Sequence, residues 1–149
     1  MVRKLLILLF VLASFSMKSQ NILWKTNFND AITMSNEEKK PLLIYFTIAG
    51  APVKIESEIF KTPDFAVWSR DNVILVKLDL SDESVSDAIR EQNMKIKNAF
   101  GVEELPQVCF ALASVRKGKT TFNALGKVSY KPGGPKLWIK DCELLLHPE

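Results

Sequence analysis

The sequence predicts an α/β fold, and three observations carry that prediction. Leu42 to Thr47 is a nearly continuous apolar run of the kind that suits a central strand covered on both faces. A second such run, Val73 to Leu80, follows after segments with helical spacing of apolar residues. A third, Val108 to Ala113, precedes a tight basic turn and a partner strand, so strands and helices alternate through the first two-thirds, and a hairpin and a last helix follow.

The elements follow in order. Asn21 to Thr26 reads as a short first strand, and Asn27 as the cap of a helix to Lys39 that places Phe28, Ala31 and Ile32 on one face. Pro41 opens the Leu42 to Thr47 strand. After Gly50, Pro52 fits the first turn of a helix, where a missing N–H costs nothing, and Val53, Ile55, Ile59 and Phe60 supply its apolar positions. That helix breaks near Thr62-Pro63, and Asp64 to Ser69 forms another helical turn carrying Phe65 and Trp68. Ser81 to Ser84 reads as a loop before a long helix from Ser86 to Phe100, on which Ile89, Ile96 and Phe100 share a stripe and Glu91 and Lys95 form a favourable pair. Gly101 ends it. Arg116 to Lys119 is the hairpin turn, and Thr120 to Leu125 the returning strand. Pro132-Gly133-Gly134-Pro135 introduces a last helix whose buried face combines Leu137, Trp138, Cys142, Leu145 and Leu146.

Residues 1–19 stand apart. Arg3-Lys4, an apolar run from Leu5 to Ala13 and a small, polar stretch give the layout of a secretory signal peptide, with an apolar stretch too short to span a bilayer. Cleavage fits after Ser16 or after Ser19, and Ser19 is preferred. That leaves residues 20–149 as the folded domain, with no membrane span after cleavage, exported to the periplasm or beyond. Removing residues 1–19 takes away Arg3, Lys4 and Lys18 and no acid, leaving 17 basic and 17 acidic side chains. A neutral chain offers no electrostatic reason to bind nucleic acid.

Conventional catalytic patterns are absent from the sequence. His147 is the sole histidine and lies in the tail. Asp79, Asp82, Glu83 and Asp87 cluster after a strand but lack the spacing of a calcium loop, and read as a solvated loop with helix-capping acids. Arg116, Lys117 and Lys119 read as a solvated hairpin tip, and Gly133-Gly134 as a turn. Trp24, Trp68 and Trp138 lie in apolar patterns as core. No metal or cofactor is called for. Cys109 and Cys142 read first as two buried small hydrophobes, with a disulfide and a reactive thiol as the alternatives.

The stretch Leu42 to Phe60, with Phe100-Gly101-Val102 and Leu105-Pro106-Gln107 downstream, resembles the thioredoxin family. The resemblance implies a thioredoxin fold, a mixed central sheet with helices on both faces, and it covers nearly all of the chain after residue 20. Exported members are the most similar, and the Ser19-Gln20 junction is similar to signal ends common in Bacteroidetes. Redox members place a Cys-x-x-Cys pair where this chain has Ala49-Gly50-Ala51-Pro52. A thiolate is the nucleophile of disulfide exchange, and a helix N-terminus lowers its pKa; alanine and proline offer neither. The loop is about three residues shorter than in redox relatives, and their tryptophan before the first cysteine is missing.

By the same resemblance Pro106 is the cis-proline that shapes the family's substrate groove, with Leu105 before it and Gln107 where threonine is frequent. The implied groove is Ile48, Ala49, Gly50, Ala51, Pro52, Leu105, Pro106 and Gln107, with Ile48 exposed at its rim and no catalytic residue. A peptide or protein bound there by strand addition is the expected partner, which makes the chain a redox-inactive binding protein of the cell envelope. The alternatives are a thiol-disulfide oxidoreductase using Cys109 and a structural module of an envelope assembly.

Overall fold

The computed structural model describes residues 22–149. The signal peptide expected at residues 1–19 lies outside them. Four strands form one sheet in the order β2-β1-β3-β4, where β1 is Leu42–Thr47, β2 Ile74–Asp79, β3 Gln107–Arg116 and β4 Lys119–Lys127. β1 runs parallel to β2 and antiparallel to β3, so the sheet is mixed. Of the expected first strand, whose residue 21 lies outside the described residues, a single parallel bridge is formed, between Lys25 and Val76 at the β2 edge.

β1 is the centre of the structure because its six side chains are all buried. The pleat sends them alternately to two cores. Leu43 and Tyr45 join Ile59, Phe60, Phe65, Trp138 and Cys142 on one face. Leu42, Ile44 and Phe46 join Phe28, Ile32, Val102 and Cys109 on the other. Helices therefore cover both faces, as the resemblance implies.

Helix α1 is Phe28–Glu38, and the Asn27 side chain accepts from the N–H groups of Asn29 (2.9 Å) and Asp30 (3.2 Å), as a capping asparagine should. The segment after β1 departs from expectation. Pro52 lies ahead of any helix; regular structure starts at Lys54 and becomes a π-helical segment at Glu56–Phe60. The wider turn carries Ile55, Ile59 and Phe60 into the core together, while Val53 is left exposed. Thr62 then caps α2, Pro63–Asn72, with Pro63 in its first turn; this helix is longer than the single turn read from the sequence.

Ser86 caps α3, Asp87–Ala99, and the Lys95–Glu91 pair closes at 3.0 Å. Asn93 is the buried residue of this helix, a position the apolar stripe did not reveal. The hairpin turn is Lys117-Gly118, with positive φ at both residues, the geometry of a tight primed turn. Both hairpin strands run longer than the sequence suggests. In α4, Pro135–Leu146, Trp138 and Cys142 are buried, whereas Leu137 is exposed and not part of the buried face. Leu137 lies one position from Trp138, and a helix cannot point adjacent residues the same way.

The aromatic core between the sheet, the π segment, α2 and α4 has Phe65 at its middle, with ring centroids at 4.8 Å from Phe60 and 6.0 Å from Trp138. Replacing Phe65 with alanine is expected to cost about 3–5 kcal/mol, against under about 0.5 kcal/mol for Leu144→Ala on the exposed side of α4. Urea unfolding of the two variants beside the parent checks this, and equal losses would place the core elsewhere.

Candidate functional site

The register of β1 against β3 builds the candidate site. Phe46 pairs with Gln107 at the end of the ladder. Beyond that pair the chains lead outward as Thr47-Ile48 and Pro106-Leu105, so the strand-end loop and the proline loop emerge side by side at one end of the sheet. The Leu105–Pro106 peptide is cis. Leu105 is half-buried against the Phe46 side of the core, and it makes no backbone–backbone hydrogen bond among the described residues. Its amide and carbonyl are available to an extended chain.

The loop after β1 is held by a short relay. Ala51 N–H donates to the Ile48 carbonyl at 3.1 Å, with Gly50 at φ 82°, the arrangement of a type II turn that needs glycine at its third residue. Ala49 N–H donates to Ser81 Oγ at 2.8 Å, and Ser81 Oγ donates to Asp79 Oδ1 at 2.5 Å. Ser81 N–H donates to the same oxygen at 2.9 Å. Asp79 thus fixes the serine, and the serine fixes the loop. Nothing in the sequence pattern pointed to this, because Asp79 read there as one of a cluster of solvated acids and Ser81 as the start of a polar loop.

Ile48 is 42% exposed, and Ala49, Gly50 and Pro52 are exposed with it. Ala51, Pro106 and Gln107 are partly covered. Gln107 turns inward: its Oε1 accepts from Val108 N–H at 3.1 Å and from Ser129 Oγ at 3.2 Å. Its side-chain oxygen therefore anchors the β3 end and is committed within the fold. Beneath the loop, Lys77 Nζ meets Glu56 Oε1 at 3.3 Å and sits 5.9 Å from the centre of the Tyr45 ring. The Tyr45 hydroxyl is buried with no hydrogen-bond partner, and burial pushes its pKa up to about 12.

Neither cysteine belongs to this site. Cys109 is 1% exposed in the core on the α1 side of the sheet, and Cys142 is 0% exposed in the core on the opposite side. Both are free. The sheet stands between them, so the disulfide alternative fails on topology, and the reading as buried small hydrophobes holds. Burial pushes the Cys109 thiol up to about 11, with Lys127 pulling weakly the other way, and raises the Cys142 thiol further. A thiol so shifted is almost wholly protonated near neutrality, the opposite of an activated nucleophile.

The remaining candidates resolve simply. Asp79 and Asp82 are spent on Ser81 and Ser84, Asp87 meets Arg90 at 3.4 Å, and no group of three or more metal-ligating side chains occurs among the described residues. His147 is exposed beside Glu143. Trp138 is fully buried, and Trp24 and Trp68 pack against its cluster. A cavity of about 380 Å³ lies away from these loops, at the β2 edge, lined by Ile22, Leu23, Met34 and Val73. Among the described residues no helix is long and apolar enough to cross a membrane.

Comparison with known proteins agrees with this geometry. No protein-family model matches the chain. Over 100 residues it is 30% identical to the thioredoxin-related protein DsbJ of Chlamydia pneumoniae, a match that takes in 64% of this chain and 28% of that protein. The chain thus matches little more than a quarter of the length of this curated relative. Among solved structures, DsbH oxidoreductase superposes with a TM-score of 0.71 at 18% identity, covering 87% of each chain. A thioredoxin from Thermus thermophilus superposes with a TM-score of 0.61 at 9% identity, covering 84% of this chain and 88% of the other.

Two measurements test the site as described. Ser81→Ala should speed amide exchange at Ala49 about fivefold, one hydrogen bond being worth ~1 kcal/mol, and leave Phe46 unchanged; unchanged exchange at Ala49 would remove the relay. For the thiol, the folded state holds Cys109 protonated while the unfolded chain ionises near the ordinary value of 9.0. Its stabilising contribution is complete below pH 9 and is lost as pH rises towards about 11. Unfolding midpoints measured across that range should fall less steeply in Cys109→Ala than in the parent. By mixed sheet, strand order and superposition on these structures, the chain has a thioredoxin fold.

Proposed function

We propose that this chain is an exported thioredoxin-like protein without redox activity, which binds an extended peptide or protein segment across Ile48 to Pro52 and Leu105 to Gln107. The observation that carries the reading is the pairing of an intact proline loop with a strand-end loop that offers no nucleophile. Leu105 presents free backbone groups, Ile48 presents apolar surface, and Ala49-Gly50-Ala51-Pro52 fills the place where redox relatives carry cysteines. Backbone pairing to an exposed segment supplies affinity without any chemistry. Export rests on the charged, apolar and small-residue order of residues 1–19.

The structural likeness to DsbH oxidoreductase favours a second reading, disulfide exchange through Cys109. Burial and the raised pKa of that thiol weigh against it. A purely structural role in an envelope assembly would leave the groove unused, and its exposed Ile48 without purpose.

Reduction of a disulfide-bonded protein substrate by residues 20–149 should stay at background, beside an active thioredoxin and a Cys109→Ser control. Activity lost in Cys109→Ser would establish a relocated nucleophile and refute the binding-only reading. Partners captured by the parent should be lost by Ile48→Asp combined with Leu105→Asp; retention of every partner by that variant would move the site elsewhere.

A further inference from the structure

The groove's rim carries charge of one sign. Glu103 and Glu104 are exposed immediately before Leu105 on the proline loop. Across the groove, Ser81 is bonded to Ala49, and Asp82 and Glu83 follow it directly, with Glu83 exposed. Glu83, Glu103 and Glu104 make no ion pair among the described residues, and three cations of this region are engaged elsewhere. Lys77 faces inward to Glu56, Arg90 pairs with Asp87, and Lys127 Nζ donates to the Gly101 carbonyl at 2.6 Å behind the loop. Lys54, exposed after the strand-end loop, and Lys97, near the end of α3, are cations of this end of the sheet without such a partner among the described residues.

Resting on the binding role proposed above, we infer that the groove selects extended segments whose apolar side chains are flanked by lysine or arginine. The apolar positions meet Ile48 and Leu105, and the flanking cations meet Glu103 and Glu104 on one rim and Glu83 on the other. Residues 20–149 carry equal numbers of basic and acidic side chains, so the preference comes from this rim and not from the field of the whole molecule. A segment flanked by acids places like charges together at both rims and is rejected, which is how a shallow apolar groove gains specificity.

Three fluorescein-labelled synthetic peptides with one shared apolar centre, flanked by lysine, by glutamine or by glutamate, test the inference in fluorescence anisotropy titrations of residues 20–149. The lysine peptide is expected to bind roughly tenfold more tightly than the glutamate peptide, the glutamine peptide falling between, because each exposed pair adds a modest gain and each like-charge pair a modest loss. Salt should erase the difference as screening lengths shrink to about 3 Å near 1 M. Glu103→Lys with Glu104→Lys, both at exposed positions, should invert the order, and Glu83→Lys should weaken it. Equal affinities for the three peptides, abolished together by Leu105→Asp, would overturn the charge preference and leave the groove in place. Failure of all three to bind would also overturn it, while the partner capture described above judges the groove separately.

Discussion

Everything else in this fold depends on the burial of β1 from both sides. Six consecutive side chains are removed from water, and each neighbour in the structure is placed by what it must cover. Tyr45 and Leu43 need the π segment, α2 and α4 above them, while Phe46, Ile44 and Leu42 need α1 and α3 below. Backbone groups of a strand so enclosed have to be paired within the sheet, which is why β2 and β3 flank it on both edges. The chain order then leaves one end of β1 free to open into the loop from Ile48 to Val53.

That opening is where structural constraint ends. No side chain from Ile48 to Lys54 is buried, and the next buried one is Ile55. Packing therefore places no demand on the identity of these residues; what holds them is backbone, through the Gly50 turn and the Asp79–Ser81–Ala49 relay. Alanine at position 49 donates to Ser81 as well as any other residue with a backbone N–H would. The scaffold is indifferent to the chemistry at its tip, and the tip can change without loss of the fold.

The sequence made the core legible because apolar runs report burial directly. Leu42 to Thr47, Val73 to Leu80 and the Asn27 and Gly101 helix limits all reappear in the structure at or within a residue or two of the positions read from the pattern. Boundaries set by geometry were less visible. Pro52 suits a first helical turn in isolation, yet the chain needs those residues for the Gly50 turn and delays the helix to Lys54. Ile55 and Ile59 share a face at i, i+4 in any α-helix, but Phe60 would turn away from them, and the π-helical turn brings it back to their side. Leu137 and Trp138 are both apolar, and periodicity alone cannot say which of two neighbours faces in. At the site, the exposed Ile48 and the cis Leu105–Pro106 bond were readable through resemblance, whereas the Asp79–Ser81 relay and the inward turn of Gln107 depend on contacts between segments distant in the chain.

The two cysteines sit where packing and thiol chemistry make opposite demands. Disulfide exchange needs a thiolate that an incoming sulfur can reach. The core that stabilises the fold is the worst place for either requirement, because burial disfavours the ionised sulfur and excludes the substrate. Cys109 is pinned in β3 opposite Ile44, and Cys142 in α4 beneath Trp138's cluster, each serving as a small apolar side chain. Exposing either one would open the core that keeps β1 covered. In this architecture, packing and thiol chemistry occupy separate regions: the core tolerates cysteine as volume, and the tip, free of packing demands, is where a reactive sulfur would have to stand. Ala49-Gly50-Ala51-Pro52 holds that position here, beside a proline loop whose Leu105 makes no backbone–backbone hydrogen bond among the described residues.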